Sequence, residues 1–251
     1  MNSLYINKQS LIKYTFILIS GFLYILSFAP YEYFWLIYIS VLIFLYLLES
    51  STKRESIKLS FLYGLSIFSF GVNWIYNSIY NYGGQYFLTS LCVTIIFIFF
   101  LSLFFIPIGY FINKETLILK TYKRFLIIPS VWIFFEWLRS NLFTGFPWLL
   151  VGYSHTDTYL NPLFSLIGTF GVGFFIIFFV TLFISIFNTS KKAIPISIFL
   201  LTVSLVTLIN LNSQKWVNYS KNPITFSVIQ ANINQADKFN KANVQNIKLK
   251  Y

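Results

Sequence analysis

From Leu59 to Asn113 the chain carries no Asp, Glu, Lys or Arg. That run constrains the fold more than any other feature. A charge at the centre of a bilayer costs at least about 2.5–3.5 kcal/mol, and a ~30 Å hydrocarbon core is crossed by ~20 apolar helical residues. The run is too long for one crossing and must turn back, and the polar, Gly-containing stretch at 77–85 (NSIYNYGGQ) is the place expected for the turn. Four more charge-free runs, 14–31, 33–48, 158–190 and 193–214, are each a span or nearly so. Ala29–Pro30 separates the first two, because proline resists a helical residue before it. A further span, 125–142, contains Glu136 and Arg139.

Composition excludes the soluble alternatives. With 57% apolar, 22% aromatic and only 10% charged residues, 31 Phe and 18 Tyr have too little polar surface to cover them. One Cys cannot pair within the chain, which removes a disulfide scaffold. The runs are continuous rather than alternating with period two, so helices are predicted and not a barrel. The expectation is an all-α polytopic membrane bundle of about seven transmembrane helices over residues 1–211, the last two near 163–187 and 193–211.

The basic residues orient it. Lys8, Lys13, Lys53, Arg54, Lys58, Lys114, Lys120, Lys123, Arg124, Lys191 and Lys192 all fall in alternate segments between spans, and the intervening loops at 29–32, 78–86 and 143–162 have none. The N-terminus is expected in the cytoplasm, the first helix uncleaved, and everything after Leu211 exported. The net charge of +11 belongs to loops beside helix ends, where it meets anionic lipid headgroups; a nucleic-acid partner is not expected.

Residues 212–251 change character. The segment 223–229 (PITFSVI) reads as a β-branched strand and 240–251 as a helix with Val244, Ile247 and Tyr251 on one face. One strand and one helix cannot bury a core, so this reads as an exported linker and the incomplete start of an α/β domain.

Within the bundle, Trp35, Trp74, Trp137, Trp148 and Trp216 fall toward exported helix ends or loops. They read either as an interfacial aromatic belt or as a lipid-binding rim. Glu136 and Arg139 share a helix face three residues apart and read as a structural ion pair or as functional intramembrane charges. Residues 143–148 (FTGFPW) end a helix and expose aromatics. Ser154, His155 and Asp157 have the residue types of a catalytic triad, but near neighbours on one loop rarely reach its geometry. Cys92, without a cationic neighbour, is read as a core thiol. No metal-ligand cluster or cofactor loop is seen.

Four stretches together resemble bacterial apolipoprotein N-acyltransferase: SFAPYEYFWL at 27–36, GLSIFSFGVNWIYNSIYNYGG at 64–84, WIFFEWLRSNLFTGFPWLLVGYS at 132–154, and FSVIQANINQADKF at 226–239. The fourth is similar to the first strand of that family's carbon–nitrogen-hydrolase (nitrilase-like) domain. The resemblance spans nearly the whole chain in order. It implies an inner-membrane transferase that moves an acyl chain from a phospholipid donor to the α-amino group of the lipidated N-terminal cysteine of an apolipoprotein acceptor, with no cofactor. The family works through a Glu base, an oxyanion-stabilising Lys and a Cys that carries the acyl group as a thioester. By that resemblance these three should follow beyond Tyr251, so no catalytic residue is assigned here and the 251 residues alone are predicted inactive. Candidate lipid- or substrate-rim residues are Trp74, Phe146, Trp148, Tyr153 and Phe239. Phe239 stands where the family often has Trp, and His155 where it often has Gln. A non-catalytic membrane scaffold is the alternative. A transporter fits less well, since no inverted repeat links the halves and pathway charges are almost absent.

Overall fold

A computed structural model of the chain describes residues 8–114, 121–188, 224–233, 238 and 243–249. Among these the architecture is helical, with no strand. Helix α1 spans Lys8–Ile25, α2 Leu36–Glu49 and α3 Lys53–Gly71. A short α4, Trp74–Asn77, runs into a π-turn at Ser78–Tyr82. Helix α5, Phe87–Ser102, continues through a 3-10 turn into α6, Ile106–Phe111, and α7 spans Thr121–Asn141. Loop 142–160 contains the 3-10 turns Leu142–Thr144 and Val151–His155, and α8 spans Asn161–Asn188. A single turn and a half, α9, forms at Val244–Lys248.

Six of the seven expected spans coincide with helices; the seventh, 193–211, lies outside the described residues. By length and composition two helical stretches can cross a bilayer unaided, Phe87–Phe111 and Asn161–Ser185. A third exists if Lys53–Gly71 and Trp74–Tyr82, bent by 47°, form one span; Ser10–Ile25 and Leu36–Glu49 are apolar but shorter. The turn expected at 77–85 begins earlier and is more regular than its composition suggests, since α3 breaks at Val72–Asn73 and Asn77–Tyr82 is still helical. Two sequence readings are corrected. Residues 224–229 form no strand among the described residues, and an extended segment becomes a strand only beside a ladder partner. Cys92 is exposed on the outer face of α5 rather than in the core.

Helix α1 packs on α2 and α3, α3 on α5 and α6, and α8 on α7, α2 and the Val151–His155 turn. Lipid tails are as apolar as leucine, so such contacts are held by close packing and interhelical hydrogen bonds. Ser20 Oγ donates to the Ser40 carbonyl (2.9 Å) and Ser40 Oγ to the Ser20 carbonyl (2.7 Å). Ser66 Oγ reaches the Leu18 carbonyl at 2.7 Å. Gly21 lies so near that a Cβ there would meet the Ser66 side chain at 2.5 Å. At the centre, Phe44 stacks on Tyr63 (4.1 Å), and Phe105 and Trp132 close edge-on around them.

The packing gives the bundle two unlike ends. At one, Lys13 pairs with Glu55 (3.0 Å) and Arg124 with Glu49. There the Lys114 N–H bonds the Ser51 carbonyl (3.1 Å) and Lys53 lies over the Tyr110 ring (3.5 Å). At the other, the links 26–35, 72–86 and 142–160 meet, and Trp35, Trp74, Trp137 and Trp148 are all exposed.

Candidate functional site

The segment after α7 is backbone that resists its own conformation. Phe143 (φ 52°), Thr144 (φ 74°) and Leu149 (φ 56°) are left-handed without being glycine. Each such residue costs on the order of 1–3 kcal/mol and persists where its surroundings over-determine it. Gly145 (φ 79°) is the one residue type its place admits, because a Cβ there would fall 1.9 Å from the Ser140 carbonyl oxygen.

The surroundings that hold this loop are polar side chains from three helices. Arg139, buried at 3% exposure, donates through Nη1 to the carbonyls of Phe146 (2.8 Å) and Trp148 (2.7 Å). Its own carbonyl accepts the Phe146 N–H at 2.9 Å. Glu136, 4% exposed, accepts the Val151 N–H at Oε1 (2.9 Å), with the Tyr24 hydroxyl and Trp132 indole beside its carboxylate. Tyr24 donates to the Leu149 carbonyl at 3.0 Å. The direct Glu136–Arg139 ion pair expected from their spacing is not formed; the ion pairs among the described residues are Lys13–Glu55 and Arg124–Glu49. The two charges share a helix face, as a three-residue spacing requires, but each faces backbone groups of the loop.

From α2 comes a third attachment. Tyr38 Oη lies 2.9 Å from His155 Nε2, and His155 Nδ1 lies 2.8 Å from Ser154 Oγ. The Ser154 hydroxyl donates to the Val151 carbonyl (2.8 Å). With the Ser154 proton placed on that carbonyl, Nδ1–H donates to Ser154 Oγ and Nε2 accepts from Tyr38; both ring nitrogens have partners in either tautomer. Burial pushes His155 down to about 4, which keeps it neutral, as that network needs. Asp157 is exposed and receives only the Thr156 hydroxyl, at 3.3 Å. The two ring nitrogens face Tyr38 and Ser154, leaving neither for Asp157 to orient, so the three residues do not form a nucleophilic triad.

The held loop presents a rim. Trp148 packs on Trp74 (5.4 Å) and on Phe146 (6.3 Å), and Phe146 on Phe97 of α5 (5.1 Å). The other side of Trp148 forms a groove of about 470 Å³ with Phe28, Pro147, Leu149, Tyr153 and Thr156. A second recess of about 280 Å³ adjoins it across Tyr153 and Thr156 and contains Glu32, Ser154 and Asp157. Four rim candidates from the sequence, Trp74, Phe146, Trp148 and Tyr153, thus come together; Phe239 lies outside the described residues. Sequence reasoning missed Tyr24 and Tyr38. Their signal was available, since a tyrosine hydroxyl inside an apolar span needs a partner. Among the described residues no group of three or more His, Cys, Asp or Glu is placed to hold a metal ion.

Fold and site define a helical, membrane-type domain whose aromatic end is shaped around one pinned loop. Comparison with known proteins gives the family. The profile described as the apolipoprotein N-acyltransferase N-terminal domain matches residues 20–182. The chain is 31% identical over 226 residues to the apolipoprotein N-acyltransferase of Methylococcus capsulatus, covering 88% of this chain and 44% of that protein. To the protein of that name from Coxiella burnetii it is 30% identical over 228 residues (88% and 46%), and to that from Wigglesworthia glossinidia brevipalpis 32% over 232 residues (90% and 45%). The chain belongs to the apolipoprotein N-acyltransferase family and matches its N-terminal part. It spans less than half the length of these relatives.

Proposed function

We propose that the chain is the membrane half of an apolipoprotein N-acyltransferase of the bacterial inner membrane. The enzyme takes an acyl chain from a phospholipid and delivers it to the α-amino group of the lipidated N-terminal cysteine of a lipoprotein. Both substrates stay embedded in the bilayer, so the reaction needs a protein surface that meets them at the interface. In this reading the basic end is cytoplasmic, the aromatic end exported, and the bundle has seven spans with 193–211 as the last. Residues 212–251 then lead into an exported nitrilase-like domain that carries the catalytic Glu, Lys and Cys. Glu136 and Arg139 act structurally, coupled through the loop whose main chain both bind rather than through a direct ion pair, and Trp74, Phe146, Trp148, Tyr153 and Phe239 act as the lipid rim.

The supporting observation is the position of Trp148. It is half-exposed, packed on Trp74, and forms one wall of a mostly apolar groove of about 470 Å³. An indole favours the level where chains meet headgroups, because its ring is apolar and its N–H wants a polar partner. Kinetics on phospholipid vesicles with the full-length enzyme test this. Trp148→Ala should raise the apparent KM for phospholipid more than it disturbs folding, and Trp148→Tyr should do so less. Unchanged phospholipid kinetics in well-folded Trp148→Ala protein would leave the residue an interfacial anchor. The 251 residues alone should transfer no acyl group in a lipoprotein acylation assay, since Cys92, the sole cysteine, sits on the outer face of α5. Turnover abolished by Cys92→Ala would overturn this.

A further inference from the structure

The attachments from α1 and α7 bind the loop between Phe146 and Val151. The groove, however, has its far wall at Tyr153 and Thr156, beyond that span. This wall is also the partition from the polar recess. Besides the packing of the Val151–His155 turn on α8, the side chain that ties this stretch to α2 is His155: its ring stands edge-on to Phe34 (5.6 Å) and Tyr38 (5.3 Å) and its two nitrogens meet Tyr38 and Ser154.

We propose that Tyr38 and His155 are positioning residues for lipid binding: their hydrogen bond sets the Tyr153–Thr156 wall opposite Trp148 and so fixes the width of the acyl groove. The inference rests on the lipid-rim reading of Trp148. Neither residue touches the lipid chain in this account; both act through the wall. The hydroxyl of Tyr38 is the separable part. Its ring also lines an apolar recess of about 410 Å³ between α2 and α8 with Ile39, Leu42, Phe179, Val180 and Phe183. Tyr38→Phe therefore deletes the tether while leaving the packing. Glutamine can replace histidine, because its N–H can donate to Ser154 while its carbonyl accepts from Tyr38; leucine can do neither.

The test uses the chain in vesicles of phosphatidylethanolamine and phosphatidylglycerol, with a trace of phospholipid bearing a diazirine on one acyl chain. After irradiation, label is mapped to the peptide containing Trp148 and Tyr153, and to α5, whose Leu88 and Ile96 face outward at 67% exposure each and report general lipid contact. The wild-type loop should label. Tyr38→Phe and His155→Leu should lower loop label about fivefold, the loss expected for one net hydrogen bond, with α5 label unchanged; His155→Gln should restore it. A merely structural tether would lower the amount of folded protein and leave the ratio of loop to α5 label constant, and that result would overturn the inference alone. Absence of loop label in the wild type would overturn the lipid-rim reading and this inference with it.

Discussion

The two ends of the bundle use charge in opposite ways. At the basic end, charged side chains pair with one another: Lys13 with Glu55, each about a fifth exposed, and Arg124 with Glu49. At the aromatic end Arg139 and Glu136 are buried and bind the main chain, three hydrogen bonds in all to Phe146, Trp148 and Val151. Helix α7 carries both arrangements, with Arg124 near its start and Glu136 and Arg139 near its finish. The partly exposed Lys13–Glu55 pair can adjust to solvent and lipid headgroups and tolerates change, whereas Arg124–Glu49 is largely buried. Charges clasping a left-handed loop fix a shape that the loop would not hold unaided. On the proposed reading, topology belongs to one end and recognition to the other.

The strongest test of that contrast is at α7. Removing either charge leaves the buried loop groups it binds without a partner, at about 1–3 kcal/mol for each group left unsatisfied, and removes the opposite charge from the other's neighbourhood. Glu136→Ala or Arg139→Ala should therefore sharply lower the folded yield in membranes, and a double change to apolar residues should recover part of it. Single variants that fold at normal yield but lose activity in the full-length enzyme would make the two charges functional rather than structural.

A smaller effect is expected at His155. Its folded value of about 4 lies below the ordinary 6.5 because burial disfavours the charged ring. The unfolded chain thus binds the extra proton first, and the contribution to stability is complete above about pH 6.5 and lost as pH falls toward 4, on the order of 2–3 kcal/mol. Thermal unfolding in detergent should show this decline, and His155→Gln should flatten it. A wild-type profile no steeper than that of the Gln variant would contradict the buried neutral ring.

The smallest effect belongs to the basic end. Lys13→Ala should change stability by no more than about 1 kcal/mol, as for other partly exposed pairs. A loss as large as that of Arg139→Ala would erase the distinction between the ends.

Much of this was legible in the sequence, and the parts that were not have physical causes. Charge-free runs marked five of the described helical spans, because the cost of a charge in lipid acts on composition alone; α7 was legible in spite of Glu136 and Arg139. The aromatic content of FTGFPW pointed to the loop. What Glu136 and Arg139 bind was hidden: a spacing of three shows that they share a face, not that both face a loop seven to fifteen residues onward. His155 was weighed only as a triad member and as a family difference, because its partner Tyr38 is 117 residues away. Of the strand expected at 223–229, residues 224–229 are unpaired among the described residues, since a strand is made by its neighbour as much as by its own residues.

All of this depends on the two ends lying on opposite sides of the membrane, and reporter fusions measure that directly. Fusions at Tyr82 and Tyr159, both at the aromatic end, should report export, and fusions at Arg54 and Lys120 should report cytoplasm. A cytoplasmic signal at Tyr159 would place the pinned loop on the wrong side for an exported acyl-transfer domain and would contradict the account.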